Sequence, residues 1–185
     1  DSLDVISMMY PAELAAFELV DMQTVHAKGT KVVYTISFDK IQKEYTEKVK
    51  EGTETGSFDT YLKSEMDKQI GYAGSFDGMI TEYKGNNPIY MSAEQKAEAK
   101  KYQDIFFSAV STWKTANADK LLTFQGYPEN LIEQSILTNC KHIILATDNV
   151  TDDAQLSVFA RLAMAAAGVP TDRFVVAVST ASLDA

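Results

Sequence analysis

SFDGMITEYKG, Ser75 to Gly85, is the stretch whose reading decides the fold. Phe76, Met79 and Ile80 are apolar, Gly78 permits close packing, and Asp77, Glu82, Tyr83 and Lys84 crowd toward a glycine turn. A short apolar run bounded by turn residues suits a strand covered on both faces, the condition of strands in parallel sheets. Polar residues at the C-terminal exit of such a strand lie where α/β folds hold their ligands.

The segments around it repeat the pattern. Upstream, LDVISMMY (Leu3 to Tyr10) has strand length, and Pro11 stands where a helix would begin. A helix is predicted from about Ala12 to Ala27, turning Leu14, Phe17 and Val25 to the core, with His26 and Lys28 in its last turn and Gly29 as its stop. KVVYTISF (Lys31 to Phe38) is a β-branched and aromatic second strand, and Asp39 is placed to cap a helix over residues 40–50. After the polar loop EGTETGS, Ser57 caps a further helix through Lys68.

Downstream, KGNNPIY is an irregular loop, and Ser92 with Gln95 forms a capping box for a long helix reaching Asn117. Tyr102, Ile105, Phe106, Ala109, Val110 and Trp113 recur at helical spacing, which makes Trp113 a core residue rather than a sugar-stacking platform. KLLTFQ (120–125) is the fourth strand, followed by Gly126-Tyr127-Pro128 and a short helix predicted over Glu129 to Leu137. KHIILAT (141–147) is the fifth, with Asp148 and Asn149 at its exit and a helix from Thr151 bearing Leu156, Phe159 and Ala163 on one face. Gly168-Val169-Pro170 stops that helix before a sixth strand, RFVVAVS (173–179).

With 185 residues, 45% of them hydrophobic, the chain can bury one sizeable core. A formal charge of -9, from 26 acidic and 17 basic residues, opposes binding to a phosphate backbone, so nucleic acid is not an expected partner. No run is long enough to cross a bilayer as an apolar helix. A single cysteine, Cys140, rules out an intrachain disulfide and suits a small buried hydrophobe; with it, two separated histidines do not make a zinc site. No metal or cofactor is expected. The N-terminus shows no signal or lipidation motif, as would also be true of a mature exported chain.

Six parallel strands could form a complete doubly wound sheet or most of a (β/α)8 TIM-type barrel, which takes about 250 residues. A dinucleotide-binding sheet should carry a glycine-rich turn after its first strand, but that place reads MMYPAEL, and neither GxGxxG nor GxxxxGK[ST] occurs. The chain also opens on a strand and stops after one. The expectation is therefore an α/β barrel segment of about six βα units, one domain over residues 1–185 and incomplete at both ends.

LDVISMMY, GTKVVYTISF, FDGMITEYKG, KLLTFQGYP, KHIILATDNV and GVPTDRFVVAVS resemble, in order and spacing, strands two to seven of glycoside hydrolase family 18 barrels. The likeness is greatest to the endo-β-N-acetylglucosaminidase branch, including chitinase-like proteins of gut Bacteroidetes. That resemblance implies a DGxDxDxE pattern whose last Glu donates a proton and whose preceding Asp orients the substrate's 2-acetamido group, itself the nucleophile. Asp77 and Gly78 match, but the three acidic positions fall on Ile80, Glu82 and Lys84. Lysine ordinarily titrates near about 10.4 and is poorly matched to a glycosidase acid. At the fifth strand's exit Thr147 stands where relatives have Tyr, before Asp148 and Asn149.

The resemblance with these departures implies a non-catalytic, exported glycan-binding protein, periplasmic or an outer-membrane surface lipoprotein, that takes a GlcNAc-containing oligosaccharide or N-glycan. Tyr10, Asp77, Glu82, Tyr83, Lys84, Gln125, Tyr127, Asp148 and Asn149 are its candidate binding residues. Two alternatives stand beside it: an active hydrolase using Glu82 or a loop carboxylate as acid, and a structural or assembly protein whose cleft is closed by a Glu82–Lys84 ion pair.

Overall fold

The computed structural model describes residues 4–147, 150 and 152–177. Strand and helix alternate along them: β1 (Val5–Met8), α1 (Ala16–His26), β2 (Lys31–Ser37), α2 (Phe38–Glu51), α3 (Phe58–Ile70), β3 (Gly78–Tyr83), α4 (Ala93–Ala116), β4 (Leu121–Gly126), β5 (His142–Leu145), α5 (Asp153–Ala165) and β6 (Phe174–Val176). The strands form one sheet in the order β1-β2-β3-β4-β5-β6, every neighbouring pair parallel. Parallel neighbours that follow one another in sequence require crossovers of one hand, which lay the helices on one face and curl the sheet. The product is a half-barrel, a partial (β/α)8 fold.

Local signals explain most boundaries. The capping box of α4 closes as its spacing predicts: Ser92 Oγ accepts from the Gln95 amide at 3.2 Å, and Gln95 Oε1 accepts from the Ser92 amide at 2.9 Å. α2 is capped by Ser37 rather than Asp39, with Ser37 Oγ accepting from Lys40 N at 3.2 Å. α1 begins at Ala16, beyond Pro11, where Glu18 reaches back to Ala15 N at 2.7 Å. Met22 fills its buried position, and Phe17, five residues earlier and about 140° around the axis, is exposed instead of facing the core.

The short helix expected over Glu129 to Leu137 is instead two 3-10 turns, Pro128–Asn130 and Gln134–Asn139. Between them Leu131 is extended and buried, and Ile132 N donates to Gln103 Oε1 of α4 at 2.9 Å rather than to a helical carbonyl.

Residues on the helix-facing side of the strands form the core: Tyr34, Ile36, Met79, Leu122, Phe124 and Ile143 pack with Leu62, Met66, Phe106 and Val110. Trp113 joins them, as its helical spacing predicts. Cys140 is buried there too, and desolvation pushes its thiol up to about 12, which leaves it inert. Among the described residues no helix is long and apolar enough to cross a membrane.

β3 and β4 approach so closely at Gly78 that any side chain there would collide with the Leu121 carbonyl and lie 2.7 Å from the Leu121 Cβ. Backbone cannot retreat as a flexible side chain can. Gly78→Ala is therefore expected to lower stability by about 3 kcal/mol, read as a lower urea midpoint at unchanged slope.

Candidate functional site

Alternation along a strand sends successive side chains to opposite faces, and parallel register decides which residues of neighbouring strands stand side by side. Three rows result on the inner face, away from the helices. Val33, Gly78 and Leu121 form the lowest, Thr35, Ile80 and Thr123 the next, and Ser37, Glu82 and Gln125 the row at the C-terminal ends. The apolar Ile80 thus lies one row beneath the carboxylate of Glu82.

Both Glu82 oxygens are engaged. Ser37 Oγ donates to Oε1 at 2.7 Å, and Gln125 Nε2 donates to Oε2 at 2.9 Å. The Ser37 hydroxyl is oriented in turn by the Lys40 amide it accepts from, so the first turn of α2 helps aim it. A carboxylate has about four acceptor sites. Two neutral partners leave room for further donors from the open inner face. Among the described residues these two hydrogen bonds hold the Glu82 carboxylate.

Lys84 follows at half-buried depth where the strand ends. Its backbone is fastened on both sides: Lys84 N donates to Asp39 Oδ2 at 2.9 Å, and Asn130 Nδ2 donates to Lys84 O at 2.7 Å. Asp39, free of the capping role, thereby ties the start of α2 to the exit of β3.

Two candidates lie elsewhere than expected. Asp77 is at the opposite end of β3, about 16 Å from Glu82 at the usual rise per residue. There its Oδ2 accepts from Val32 N at 2.7 Å and lies 2.6 Å from His26 Nε2, with Lys31 Nζ 3.8 Å from Oδ1. It latches the end of α1 and the start of β2 to β3, and does not reach the inner row. Tyr83 points the other way from Glu82, into the helix layer, where it packs on Phe38 with ring centroids 5.0 Å apart and its hydroxyl accepts from Gln103 Nε2 at 2.9 Å. Burial raises its pKa. The period of two along a strand separates Tyr83 from Glu82, so the three consecutive polar residues do not form one group.

Tyr127 has one ring face occupied: it stacks on Phe159 of α5, with centroids 5.9 Å apart. The preceding Gly126 has φ of 145° and sits against the Tyr83 carbonyl, a position closed to other residues. Tyr10 is largely exposed beyond β1, at the same end of the sheet as Glu82. Asp148 and Asn149 lie outside the described residues.

Ser37, Gln103 and Asn130 are not among the residues the sequence singles out, and Asp39 is singled out there only as a cap. A serine at a strand-to-helix boundary signals a cap, which would have singled out Ser37. Nothing local marks Gln103 or Asn130, whose importance comes from burial. Glu129, near Tyr127, has its carboxyl pKa raised by burial, and its Oε2 is buried without a hydrogen-bond partner among the described residues, but it lines a cavity with Leu131, Leu162 and Ala166 on the helix side. No group of three potential metal ligands occurs among the described residues.

Sequential parallel strands backed by helices, with a braced carboxylate at the C-terminal end of the inner face, define a barrel protein of the (β/α)8 class with its polar row where that class keeps its ligands. The profile of glycoside hydrolase family 18, BT1044-like, matches residues 1–184, and the chain belongs to that family. Its fold is similar to that of the Bacillus subtilis protein ydhD, assigned as a sporulation-specific glycosylase, at a TM-score of 0.50 and 11% identity over 96% of this chain. The chain spans 61% of that protein's solved chain. Among curated proteins none matches the sequence.

Two substitutions separate support from site. Asp77→Ala is expected to lower stability by about 2 kcal/mol, and Tyr83→Phe by about 1 kcal/mol, in urea denaturation. Neither should change the affinity of a ligand held on the inner face.

Proposed function

We propose that this chain holds a GlcNAc-containing oligosaccharide on its inner face without cleaving it. The observation that carries the proposal is the composition of the top row: one carboxylate, Glu82, braced between Ser37 and Gln125, with lysine two residues further along the strand. Amide, hydroxyl and carboxylate together suit the hydroxyls and acetamido N–H of a sugar.

Hydrolysis needs a proton delivered to the leaving oxygen. By the family's pattern that donor belongs at Lys84, and Ile80 stands at another of the acidic positions. A cation at Lys84 also opposes the positive charge that develops at the sugar's anomeric centre. Glu129, the loop carboxylate with a raised pKa, lines the helix-side cavity, which does not favour the hydrolytic alternative. The proposal includes export to the periplasm or the outer-membrane surface, on the resemblance alone.

The test is binding of chitooligosaccharides and of a GlcNAc-containing N-glycan, run beside a sensitive assay for released product. Saturable binding with no product is expected, weakened about tenfold by Glu82→Gln, which loses the charge that strengthens its hydrogen bonds. Product formation abolished by Glu82→Gln would establish the hydrolytic alternative. Neither binding nor product would leave the structural role.

A further inference from the structure

The helix-facing side of β3's exit holds a second cavity, separate from the inner row. It has a volume of about 480 Å³, within the range of small-molecule sites. Gln42 of α2, Asn86 and Tyr90 of the β3–α4 loop, and Gln95, Glu98 and Tyr102 of α4 line it. Tyr83 is also in its wall. Since Tyr83 and Glu82 point to opposite faces of β3, the cavity and the inner row lie on opposite sides of the sheet.

The loop is built firmly. Asn130 Nδ2 donates to Lys84 O at 2.7 Å and to Gly85 O at 3.1 Å, and Asn87 Oδ1 accepts from Ile89 N at 3.0 Å to cap the 3-10 turn Pro88–Tyr90. That turn presents Tyr90 with 84% of its surface exposed. A large ring on a loop fixed at several points is a preorganised platform rather than a collapsed side chain.

The lining selects a chemistry. The side-chain amides of Gln42 and Asn86 make no hydrogen bond among the described residues, and Gln95 uses only its oxygen, for the Ser92 amide. Glu98 already accepts from the Tyr102 hydroxyl at 3.1 Å, and no lysine or arginine lines the cavity. Unengaged amides beside an exposed aromatic face, with no cation, suit a neutral polyhydroxyl ligand and disfavour a phosphate or other anion. We infer that this cavity is a second binding site, for a neutral oligosaccharide, with Tyr90 as its stacking platform and Gln42 and Asn86 as hydrogen-bonding groups.

Chitotriose and mannotriose are the probes, titrated into the full chain while backbone amide NMR signals are followed. The expected result is saturable shifts at Asn86 and Gln95 with at least one probe. Those shifts should persist in Glu82→Gln and need about tenfold more ligand in Tyr90→Ala and in Gln42→Ala. Gln42 lies on α2, outside the loop, so its variant keeps the result independent of any change in loop shape. Absence of shifts with both probes overturns the inference, as does a response that Glu82→Gln removes or that both cavity variants leave unchanged. Because Glu82→Gln reports on the inner row and Tyr90→Ala on this cavity, either site can fail without the other.

Discussion

Strand β3 is hydrogen-bonded on both sides, and a parallel strand so placed has only two directions in which to send a side chain. Close contact with β4 at Gly78 and pairing with β2 at Val33 set its register. From that register Ile80 and Glu82 face inward while Met79 and Tyr83 enter the helix layer. The same constraint brings Ser37 and Gln125 to Glu82 from strands 45 and 43 residues away in sequence. A slip of one residue would bury the carboxylate among Phe38, Phe106 and Phe107 and turn Tyr83 to the inner face.

The two ends of β3 do different work. At its start Asp77 gathers His26, Lys31 and the Val32 amide, an arrangement that fastens elements together and leaves the inner face untouched. At its end Glu82 is braced by neutral groups and keeps acceptor capacity. A barrel of this class keeps stability at one rim and ligands at the other. The Asp-Gly of the pattern that the resemblance implies therefore belongs to the stabilising rim, whereas Lys84 stands at the opposite rim and Ile80 one row below Glu82.

Two buried amides connect the layers. Gln103 of α4 donates to the Tyr83 hydroxyl and to Asn130 O, and accepts from Ile132 N. Asn130 in turn holds the carbonyls of Lys84 and Gly85. Leaving any of these groups unpaired would cost about 1–3 kcal/mol, so each bond in the set supports the others. It fixes the exits of β3 and β4 relative to α4, and with them the positions of Lys84 and of the loop that bears Tyr90.

The order of strands and helices, the long capped helix at Ser92, the core role of Trp113 and Cys140, and the family were all legible in the sequence. Periodicity, capping residues and composition are local properties, and they act over a few residues. Direction was less so. Tyr83 and Glu82 are both polar neighbours in the chain, yet alternation sends one to the core and the other to the inner face. Phe17 faces solvent because Met22, about 140° around α1 from it, takes the buried position. Asp39 gives up a cap for the Lys84 amide, a partner 45 residues away. By itself the sequence determined which elements form and that an acid and a lysine stand at the exit of β3. Only the tertiary structure decided which groups meet that acid, because register and long-range hydrogen bonds are properties of strands paired in space, and no local pattern encodes them.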